Sequence, residues 1–298
     1  MAQNKLEILV IIRECSDPRP PVRLMAKGAG IRDRGLRRLV NPADLEALEH
    51  ALALKDAGVA KVTAAALGPS HLDDSLRLAL AMGVERAIRI WDGGLDGGDA
   101  VANAHLWQRL FSILRPDLIL TGNRLLDCGC DPAPALAAAR QGLGCVSAAL
   151  SLQVNTPQVE ILRKGDRGAR QKILARLPCA ILCESGFKEI RYPALEAVMD
   201  ALSRPIEAWG LPELGLASWE VGGSGSVLEP GEFAFPRPDP LRSSTPDPSL
   251  PAFERILALL SGGIQPREGK MHFLPPEEVA DNLLQIFHNE GLLPEARP

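Results

Sequence analysis

Residues suited to binding an anion lie between Asp117 and Arg140. Apolar and β-branched residues follow Asp117 and end at Gly122, polar or small residues come next, and an alanine-rich run begins at Pro132. This order predicts a strand, a loop and a helix. At the carboxyl end of a parallel strand, backbone amides and the positive end of the next helix converge on a bound anion. Because no named phosphate motif is present, the residues alone leave two interpretations open: an anion-binding loop, or an ordinary connection between a strand and a helix.

The same loop contains the pair Cys128 and Cys130, which would suit metal or redox chemistry. The chain has no second such pair and no histidine near this one, so a zinc site is disfavoured. Cys179 and Cys183 flank an Ala-Ile-Leu run and are predicted to be small core residues. We expect the six thiols to be reduced. A cysteine-based redox protein is a hypothesis that rests on Cys128 and Cys130 alone.

The sequence lacks recognisable catalytic motifs. It has no Ser-His-Asp order, no HExxH, no P-loop and no paired carboxylates in a known frame. The glycine-rich run 92–99 lacks both the lysine of a P-loop and the GxGxxG spacing, so it predicts a flexible turn with Asp99 capping the next helix. The five histidines are predicted to be surface or packing residues. We therefore predict neither a catalytic site nor a metal site.

Composition and charge limit the class of protein. A chain of 298 residues that is 46% hydrophobic is long enough for one large domain with an appendage. The formal net charge of −4, with basic residues scattered among acids, gives no footprint for nucleic acid or anionic lipid. No run reaches the roughly 20 apolar residues of a membrane span, and the start lacks a signal-peptide pattern. We expect a cytoplasmic protein without membrane insertion.

The order of elements predicts an α/β fold with a doubly wound, mainly parallel sheet. Strands predicted at 6–12, 61–67, 87–91 and 117–122 alternate with helices that begin near Pro42, Leu72, Asp99 and Pro132. The third helix is predicted to bury Leu106, Leu110, Ile113 and Leu114. The pattern changes at Ala148, after which short alternating runs at 150–154, 159–163 and 171–177 predict an antiparallel meander.

The last third of the chain has a different composition. Residues 217–251 are rich in Pro, Gly and Ser, which predicts an extended arm without its own core. A short helix is predicted at 257–260, and a terminal helix at 276–290 with an apolar stripe. The predicted organisation is therefore an α/β nucleotide-binding-type domain at 1–216 and an arm with a terminal helix at 217–298.

Several runs resemble the beta subunit of the electron-transfer flavoproteins. The loop 122–134 has the length of that family's adenine-nucleotide loop and keeps its first glycine and first aspartate, Asp127, although residues 131–134 differ. Arg13 and Asp17 match a basic residue and an aspartate of the family, and residues 41–49, 77–87, 161–168 and 191–199 match further motifs. The resemblance covers about residues 6–216. It implies an adenine-nucleotide alpha-hydrolase-like fold.

The resemblance also implies a function. It predicts the beta subunit of a heterodimer whose FAD is held mainly by an alpha subunit, and which takes electrons from primary dehydrogenases and passes them to a quinone-linked oxidoreductase. Redox chemistry would belong to the FAD, so we expect an electron carrier rather than an enzyme. The alternative is a stand-alone adenine-nucleotide-binding regulatory protein of the same superfamily. The arm and terminal helix favour the subunit over the stand-alone protein, since a stand-alone domain would not need a long appendage with an apolar stripe.

The site residues follow from the same resemblance. The positions that match the family's cofactor-binding residues are Ile11, Asp17, Asn41, Pro42, Ala43, Asp44, Leu67, Gly122, Asn123, Arg124, Leu125, Leu126, Asp127, Cys128, Gly129, Cys130, Asp131 and Pro132. AMP is expected as a further ligand with weakened binding, because Pro132 and Pro134 replace hydrogen-bond donors.

A second set of matching positions concerns partner recognition: Arg191, Tyr192, Leu195 and Met199. The family's leucine at the position of Leu195 plugs into an apolar pocket of the dehydrogenase. Without the resemblance, Leu195 reads as a core residue on a helix face with Val198 and Met199.

Overall fold

The structure is a computed structural model, and it describes residues 5–20, 23–24, 31–32, 37–229, 231, 246–260 and 274–289. The chain divides into two compact units, Met1–Phe235 and Pro236–Pro298. The first unit is the α/β part, and it extends past the boundary expected at residue 216.

The elements of the first unit alternate as the sequence predicts. The strands are β1 (Leu6–Ile11), β2 (Glu14–Ser16), β3 (Arg23–Leu24), β4 (Ile31–Arg32), β5 (Arg38–Val40), β6 (Ala60–Leu67), β7 (Arg86–Ile90), β8 (Leu118–Gly122), β9 (Gly144–Asn155), β10 (Gln158–Lys164), β11 (Arg170–Arg176), β12 (Cys179–Cys183) and β13 (Glu207–Trp209). The α-helices are α1 (Pro42–Asp56), α2 (Asp73–Met82), α3 (Ala100–Leu114), α4 (Ala133–Arg140), α5 (Leu195–Ser203), α6 (Leu211–Leu214) and α7 (Gly222–Gly225).

In the described part of the chain, the main sheet has nine strands in the order β11-β10-β9-β12-β8-β1-β6-β7-β13. From β9 through β12 to β13 neighbouring strands are parallel, whereas β10 pairs antiparallel with both β9 and β11. The chain runs outward from β1 through β6 and β7, then returns to β8 on the other side of β1. The strand order therefore reverses between β1 and β8, which opens a crevice at their carboxyl ends.

The predicted doubly wound sheet and meander are confirmed, with one addition. β9 begins at Gly144, and its first half pairs in parallel with β12 before its second half enters the meander. Ala148 has a positive φ of 57°, and the pairing of β9 with β12 shifts register beside it. The change of pattern at Ala148 thus marks a break within one strand rather than the start of a new one.

Two hydrophobic cores cover the two faces of the sheet. Along β1, Ile8 and Val10 enter the core beneath α1 and α2, while Leu9 and Ile11 enter the core beneath α3 and α4. This alternation is the period of a strand buried on both faces. Cys179 and Cys183 are buried in the first core, as predicted.

Helix α3 partly matches its prediction. Asp99 caps it by accepting hydrogen bonds from the amides of Val101 at 2.9 Å and Ala102 at 2.8 Å. Leu106 and Leu110 are buried as expected, but the prediction for Ile113 is wrong because this side chain is exposed. Helical spacing allowed two neighbouring faces, and the bulkier Trp107 and Phe111 occupy the core instead.

Residues 217–229 pack on the α/β unit. Val221 is buried in the second core, and a Cβ on Gly222 would lie 2.1 Å from the carbonyl oxygen of Gly94. Asp99 Oδ2 accepts hydrogen bonds from the amides of Val227 and Leu228, both at 2.7 Å. Residues 217–229 therefore pack against the glycine-rich turn at 92–99.

The described part of the second unit contains α8 (Ala252–Leu260) and α9 (Pro276–Asn289), at the predicted positions of the short and terminal helices. Both helices expose their large apolar side chains, which are Phe253, Ile256, Leu257, Leu259, Leu260, Val279, Leu283, Leu284, Ile286 and Phe287. Among the helices that the structure describes, none has the length and apolar character needed to cross a membrane.

Candidate functional site

Arg13 lies at the carboxyl end of β1 and binds two carboxylates. Its Nε and Nη2 donate to Asp44 Oδ2 at 3.1 Å and Oδ1 at 2.7 Å, and its Nη1 donates to Asp131 Oδ2 at 3.0 Å. Nη2 also donates to the carbonyl oxygen of Gly122 at 2.7 Å. Although burial lowers the pKa of Arg13, the charges and hydrogen bonds of Asp44 and Asp131 raise it overall.

Asp44, in the first turn of α1, is fully buried beneath this guanidinium. Besides Arg13, its Oδ1 accepts the hydroxyl of Thr121 at 3.1 Å and the amide of Gly122 at 2.5 Å. A buried carboxylate is tolerated only with such a set of donors. Asp44, predicted as a cofactor-binding residue, therefore joins α1 to the ends of β1 and β8.

Gly122 is required by close packing between β8 and α1. A Cβ at this position would lie 2.6 Å from Ala43 Cβ and 2.7 Å from Asp44 Oδ1. Any side chain would push α1 away from the strand, so the first glycine of the loop serves packing rather than a ligand.

Asn41 holds the loop after β8. Its Nδ2 donates to the carbonyl of Arg124 at 2.8 Å, and its Oδ1 accepts from the amide of Leu126 at 3.2 Å. Asn41 stands at the N-cap position of α1, as a residue type that commonly caps helices, but its side chain makes no bond to that helix. The side-chain amide of Asn41 bonds to the loop instead of the helix because the loop lies directly against the start of α1.

Two aspartates fix the rest of the loop by accepting hydrogen bonds from backbone amides. Asp127 Oδ2 accepts from the amide of Ser16 at 2.8 Å and its Oδ1 from that of Cys128 at 2.7 Å. Asp131 Oδ1 accepts from the amide of Ala133, in the first turn of α4, at 3.1 Å. Asn123 instead turns toward the neighbouring strand, where its Nδ2 donates to Glu184 at 3.0 Å.

A cavity of about 560 Å³ lies beside this loop, at the carboxyl ends of β1, β6 and β7. It is large enough for a nucleoside or a small cofactor. Of the predicted cofactor-binding residues, Leu67, Leu125 and Asp131 line it. Ile11 is buried in the second core and residues 41–44 lie behind Arg13, so neither reaches the cavity wall.

Several cavity residues were not predicted as site residues, namely Arg13, Glu14, Arg38, His71, Trp91 and Trp107. Trp91 directly follows β7 and Glu14 follows β1, so their positions at strand ends could have indicated them. Arg38 and His71 carry no such signal, because their approach to the cavity depends on the tertiary fold.

Several hydrogen-bond donors of the loop are already used within the protein. Its amides that already donate within the protein are those of Leu126, Cys128, Gly129, Cys130 and Ala133. Pro132 and Pro134 have no N–H to offer. Arg13 is paired with two carboxylates, so few of its donors and fewer of the loop's amides are left for the phosphate of AMP.

Asp17 lies apart from the cavity. It is buried, and its carboxylate accepts from Arg19 Nη2 at 2.5 Å and Nε at 2.7 Å. These hydrogen bonds lower the pKa of Asp17 to about 2. The residue stabilises the turn after β2 rather than facing a ligand.

The surroundings of Cys128 do not favour redox chemistry at this thiol. Burial and the charge of Asp127 raise the pKa of Cys128, which disfavours the reactive thiolate. Within the described ranges, no group of three or more His, Cys, Asp or Glu residues could hold a metal ion.

A second predicted set of residues lies on another surface, where α1 holds the segment before α5. Arg191 Nη2 lies 2.7 Å from Glu49 Oε1 and 2.8 Å from Asp56 Oδ2, and these hydrogen bonds raise the pKa of Arg191. Glu46 Oε2 accepts from the amides of Phe187 and Lys188, both at 3.0 Å. Three acidic residues of α1 thus fix the segment 186–191.

The residues after this segment face outward. Tyr192 is 98% exposed, Leu195 77% and Met199 60%, whereas Val198 packs against the first core. The interpretation of Leu195 as a core residue is therefore wrong. Tyr192, Leu195 and Met199 are thus exposed apolar side chains after a braced segment, and Leu195 and Met199 lie one turn apart on α5.

Comparison with known proteins agrees with this fold and these motifs. The family model for the electron transfer flavoprotein domain matches residues 30–214. The chain is 31% identical over 187 residues to the electron transfer flavoprotein subunit beta of Bacillus subtilis, covering 62% of this chain and 72% of that protein.

Two further relatives show the range of the similarity. Protein FixA of Azorhizobium caulinodans is 28% identical over 219 residues, which cover 71% of this chain and 77% of FixA. The caffeyl-CoA reductase-Etf complex subunit CarD of Acetobacterium woodii is 27% identical over 219 residues, 73% of this chain and 83% of CarD. The resemblance inferred from the sequence is confirmed. The chain belongs to the electron transfer flavoprotein family, among its beta-subunit, FixA-like proteins.

Proposed function

We propose that this chain is the beta subunit of a heterodimeric electron-transfer flavoprotein. It pairs with an alpha subunit, accepts electrons from primary flavin dehydrogenases and passes them to a quinone-linked oxidoreductase. The redox chemistry is supplied by FAD when it is bound in the heterodimer. Family membership supports the electron-transfer role, and the structure supports the need for a partner.

One observation carries the proposal. Helices α8 and α9 leave their apolar stripes exposed, with Leu283, Leu284 and Ile286 about half exposed on α9. Exposed apolar faces of this kind mark interaction surfaces. Burying several such side chains contributes several kcal/mol at about 25 cal/mol per Å², before the cost of ordering is subtracted.

The charges of the cavity support placing the FAD mainly on the alpha subunit. A flavin dinucleotide carries a pyrophosphate, and Arg13 beside the loop is already paired with Asp44 and Asp131. This chain therefore contributes an interface to the flavin-bearing complex rather than its principal dinucleotide site.

The exposed patch at Tyr192, Leu195 and Met199 supports docking to a dehydrogenase. The segment before it is fixed by Glu46 and Glu49, so the apolar side chains are presented in one arrangement. A pre-ordered anchor loses less conformational entropy on binding than a mobile one. We assign this patch to the electron donor and the C-terminal helices to the alpha subunit.

The proposal is tested by co-expression with a candidate alpha subunit, followed by size-exclusion chromatography and a visible spectrum. Co-elution with about one FAD per heterodimer is expected. Removal of all residues after Phe235 leaves the first unit whole and is expected to weaken the heterodimer at least tenfold. A stable monomer that ignores the alpha subunit would instead favour the stand-alone regulatory protein.

A point variant tests whether the apolar stripe of α9, rather than the presence of the C-terminal residues in general, holds the partner. Leu283→Asp places a charge on the stripe of α9, whereas Gln285→Asp places the same charge on the opposite side of the helix. Only Leu283→Asp is expected to weaken the heterodimer. Equal affinities of the two variants would contradict the assignment of α9 to the interface.

A further inference from the structure

Asp131 occupies the position from which this fold would bind an anion. It follows β8, next to the point where the strand order reverses, and it contacts both the Arg13 guanidinium at 3.0 Å and the Ala133 amide at 3.1 Å. A guanidinium and an amide of the first helical turn are the donors that a phosphate would need. Here a carboxylate of the chain itself takes both.

Glu14 adds a second negative charge to the same cavity. Its side chain is only 9% exposed, and its Oε1 accepts from the hydroxyl of Ser75 at 2.5 Å. Its Oε2 is buried and receives no hydrogen bond from the described residues. His71 Nε2 lies 3.3 Å from this oxygen, but it also lies 3.5 Å from Arg38 Nη1, which can only donate.

The balance of charge around the cavity is therefore acidic. Two guanidiniums, of Arg13 and Arg38, face a larger set of carboxylates: Glu14, Asp44 behind Arg13, Asp96 and Asp131. A protonated His71 would still leave the acids in excess. Much of the remaining wall is apolar or aromatic, with Leu67, Leu125, Trp91 and the edge of the buried Trp107 beside the polar Asn103. Such walls suit a planar ring rather than a charged group.

We propose that this cavity binds an uncharged molecule of nucleoside size, and that Asp131 is a built-in anion that excludes the phosphate of a nucleotide. The proposal concerns only this cavity and does not depend on the partner subunits proposed above.

The probes are adenosine and AMP, which share a ring and a ribose and differ by the phosphate. Binding to the full-length protein, purified with whatever subunit accompanies it, is measured by titration calorimetry. The wild-type protein is expected to bind adenosine at least as tightly as AMP. Asp131→Asn frees Arg13 from one carboxylate, so AMP is expected to bind about tenfold tighter or more while adenosine changes less than about threefold.

Asp117→Asn is the matched control. It removes the same charge, but Asp117 lies before β8, at the opposite end of the strand from the cavity, and accepts from the amide of Glu7 at 2.9 Å. Both affinities are expected to stay at wild-type values. The proposal is overturned if the wild-type protein binds AMP more tightly than adenosine, if adenosine does not bind, or if the two variants give the same AMP affinity.

Discussion

The guanidinium of Arg13 and the carboxylate of Asp44 form a bidentate pair, with Nε–Oδ2 at 3.1 Å and Nη2–Oδ1 at 2.7 Å. The pair joins the end of β1 to the start of α1. Through Gly122 it also holds the end of β8, and through Asp131 it holds the loop that precedes α4. Four elements therefore meet at one ion pair at the switch point of the sheet.

Removing one partner of this pair is expected to destabilise the first unit. Asp44→Asn breaks a buried ion pair and leaves Arg13 only the partly exposed carboxylate of Asp131, and removing one partner of a buried pair costs about 3–5 kcal/mol. Urea unfolding measures the loss. Asp73→Asn breaks the more exposed pair between Asp73 and Arg89 and is expected to cost about 0–1 kcal/mol. Similar losses for the two variants would show that the Arg13–Asp44 pair does not organise the site.

The placement of this cluster could be predicted from the sequence, but its contacts could not. The predicted alternation of strands and helices places the loops after β1 and β8 at one edge of the sheet, because parallel strands have their carboxyl ends there. Asn41 and Asp44 resemble helix-start residues by type and position. Their side chains bond the neighbouring loop and strands instead, since those groups are brought close only by the tertiary fold.

A methyl group at residue 122 is expected to disturb the packing of α1 against β8. Gly122→Ala would place its Cβ within 2.6 Å of Ala43 Cβ, and overpacking of this kind costs about 1–3 kcal/mol. Gly144→Ala is the control, because a Cβ there meets no atom within 4 Å. The urea midpoint is expected to fall for the first variant only. Equal midpoints would refute the close approach.

The buried His50 is expected to make the free energy of unfolding depend on pH. Burial, with a smaller effect of Lys188, lowers the pKa of His50 from 6.5 to about 4. The unfolded chain takes up a proton near pH 6.5 and the folded chain only near pH 4. The stabilising contribution is therefore complete above pH 6.5 and is lost as the pH falls toward 4, by about 3 kcal/mol in total.

The measurement compares variants, since other groups titrate in the same range. His50→Gln is expected to flatten the fall in unfolding free energy between pH 6.5 and 4. His288→Gln, on an exposed position of α9, is expected to leave the wild-type slope. Parallel curves for His50→Gln and the wild-type protein would contradict the burial of an uncharged imidazole.

The polar residues that helix α1 buries could not be predicted from the sequence pattern. Its leucines and its boundaries follow the sequence, yet Glu46, Glu49 and His50 are buried too, so the helix has no simple polar face. The acceptor Glu46 and the donor Phe187 are 141 residues apart in the chain. No local pattern reports a partner at that distance, and a glutamate on a helix is ordinarily assigned to the solvent-facing side.

Weakening the contact between Glu49 and Arg191, which holds the segment before the exposed patch, is expected to lower the affinity for the dehydrogenase without changing the rate of electron transfer. Glu49→Gln removes the charge that holds Arg191 through Nε and Nη2. The dehydrogenase concentration giving half-maximal flavin reduction should rise about threefold to tenfold, with an unchanged maximal rate. Glu160→Gln breaks the surface pair with Lys172 and serves as control. An equal effect of both variants would show that the brace has no role in recognition.

The exposed leucine at the start of α5 gives the most direct test of recognition. Leu195 is 77% exposed, so Leu195→Ala is expected to leave the melting temperature almost unchanged, whereas a buried Leu→Ala change costs about 2–5 kcal/mol. Loss of a docking anchor costs roughly 1.5–3 kcal/mol, which is about a ten- to hundredfold lower affinity for the dehydrogenase. Leu174→Ala, on β11 and 66% exposed, makes the same change at a distant surface and is expected to have no effect on flavin reduction. A large fall in melting temperature with normal electron transfer in Leu195→Ala would show that the recognition role is wrong.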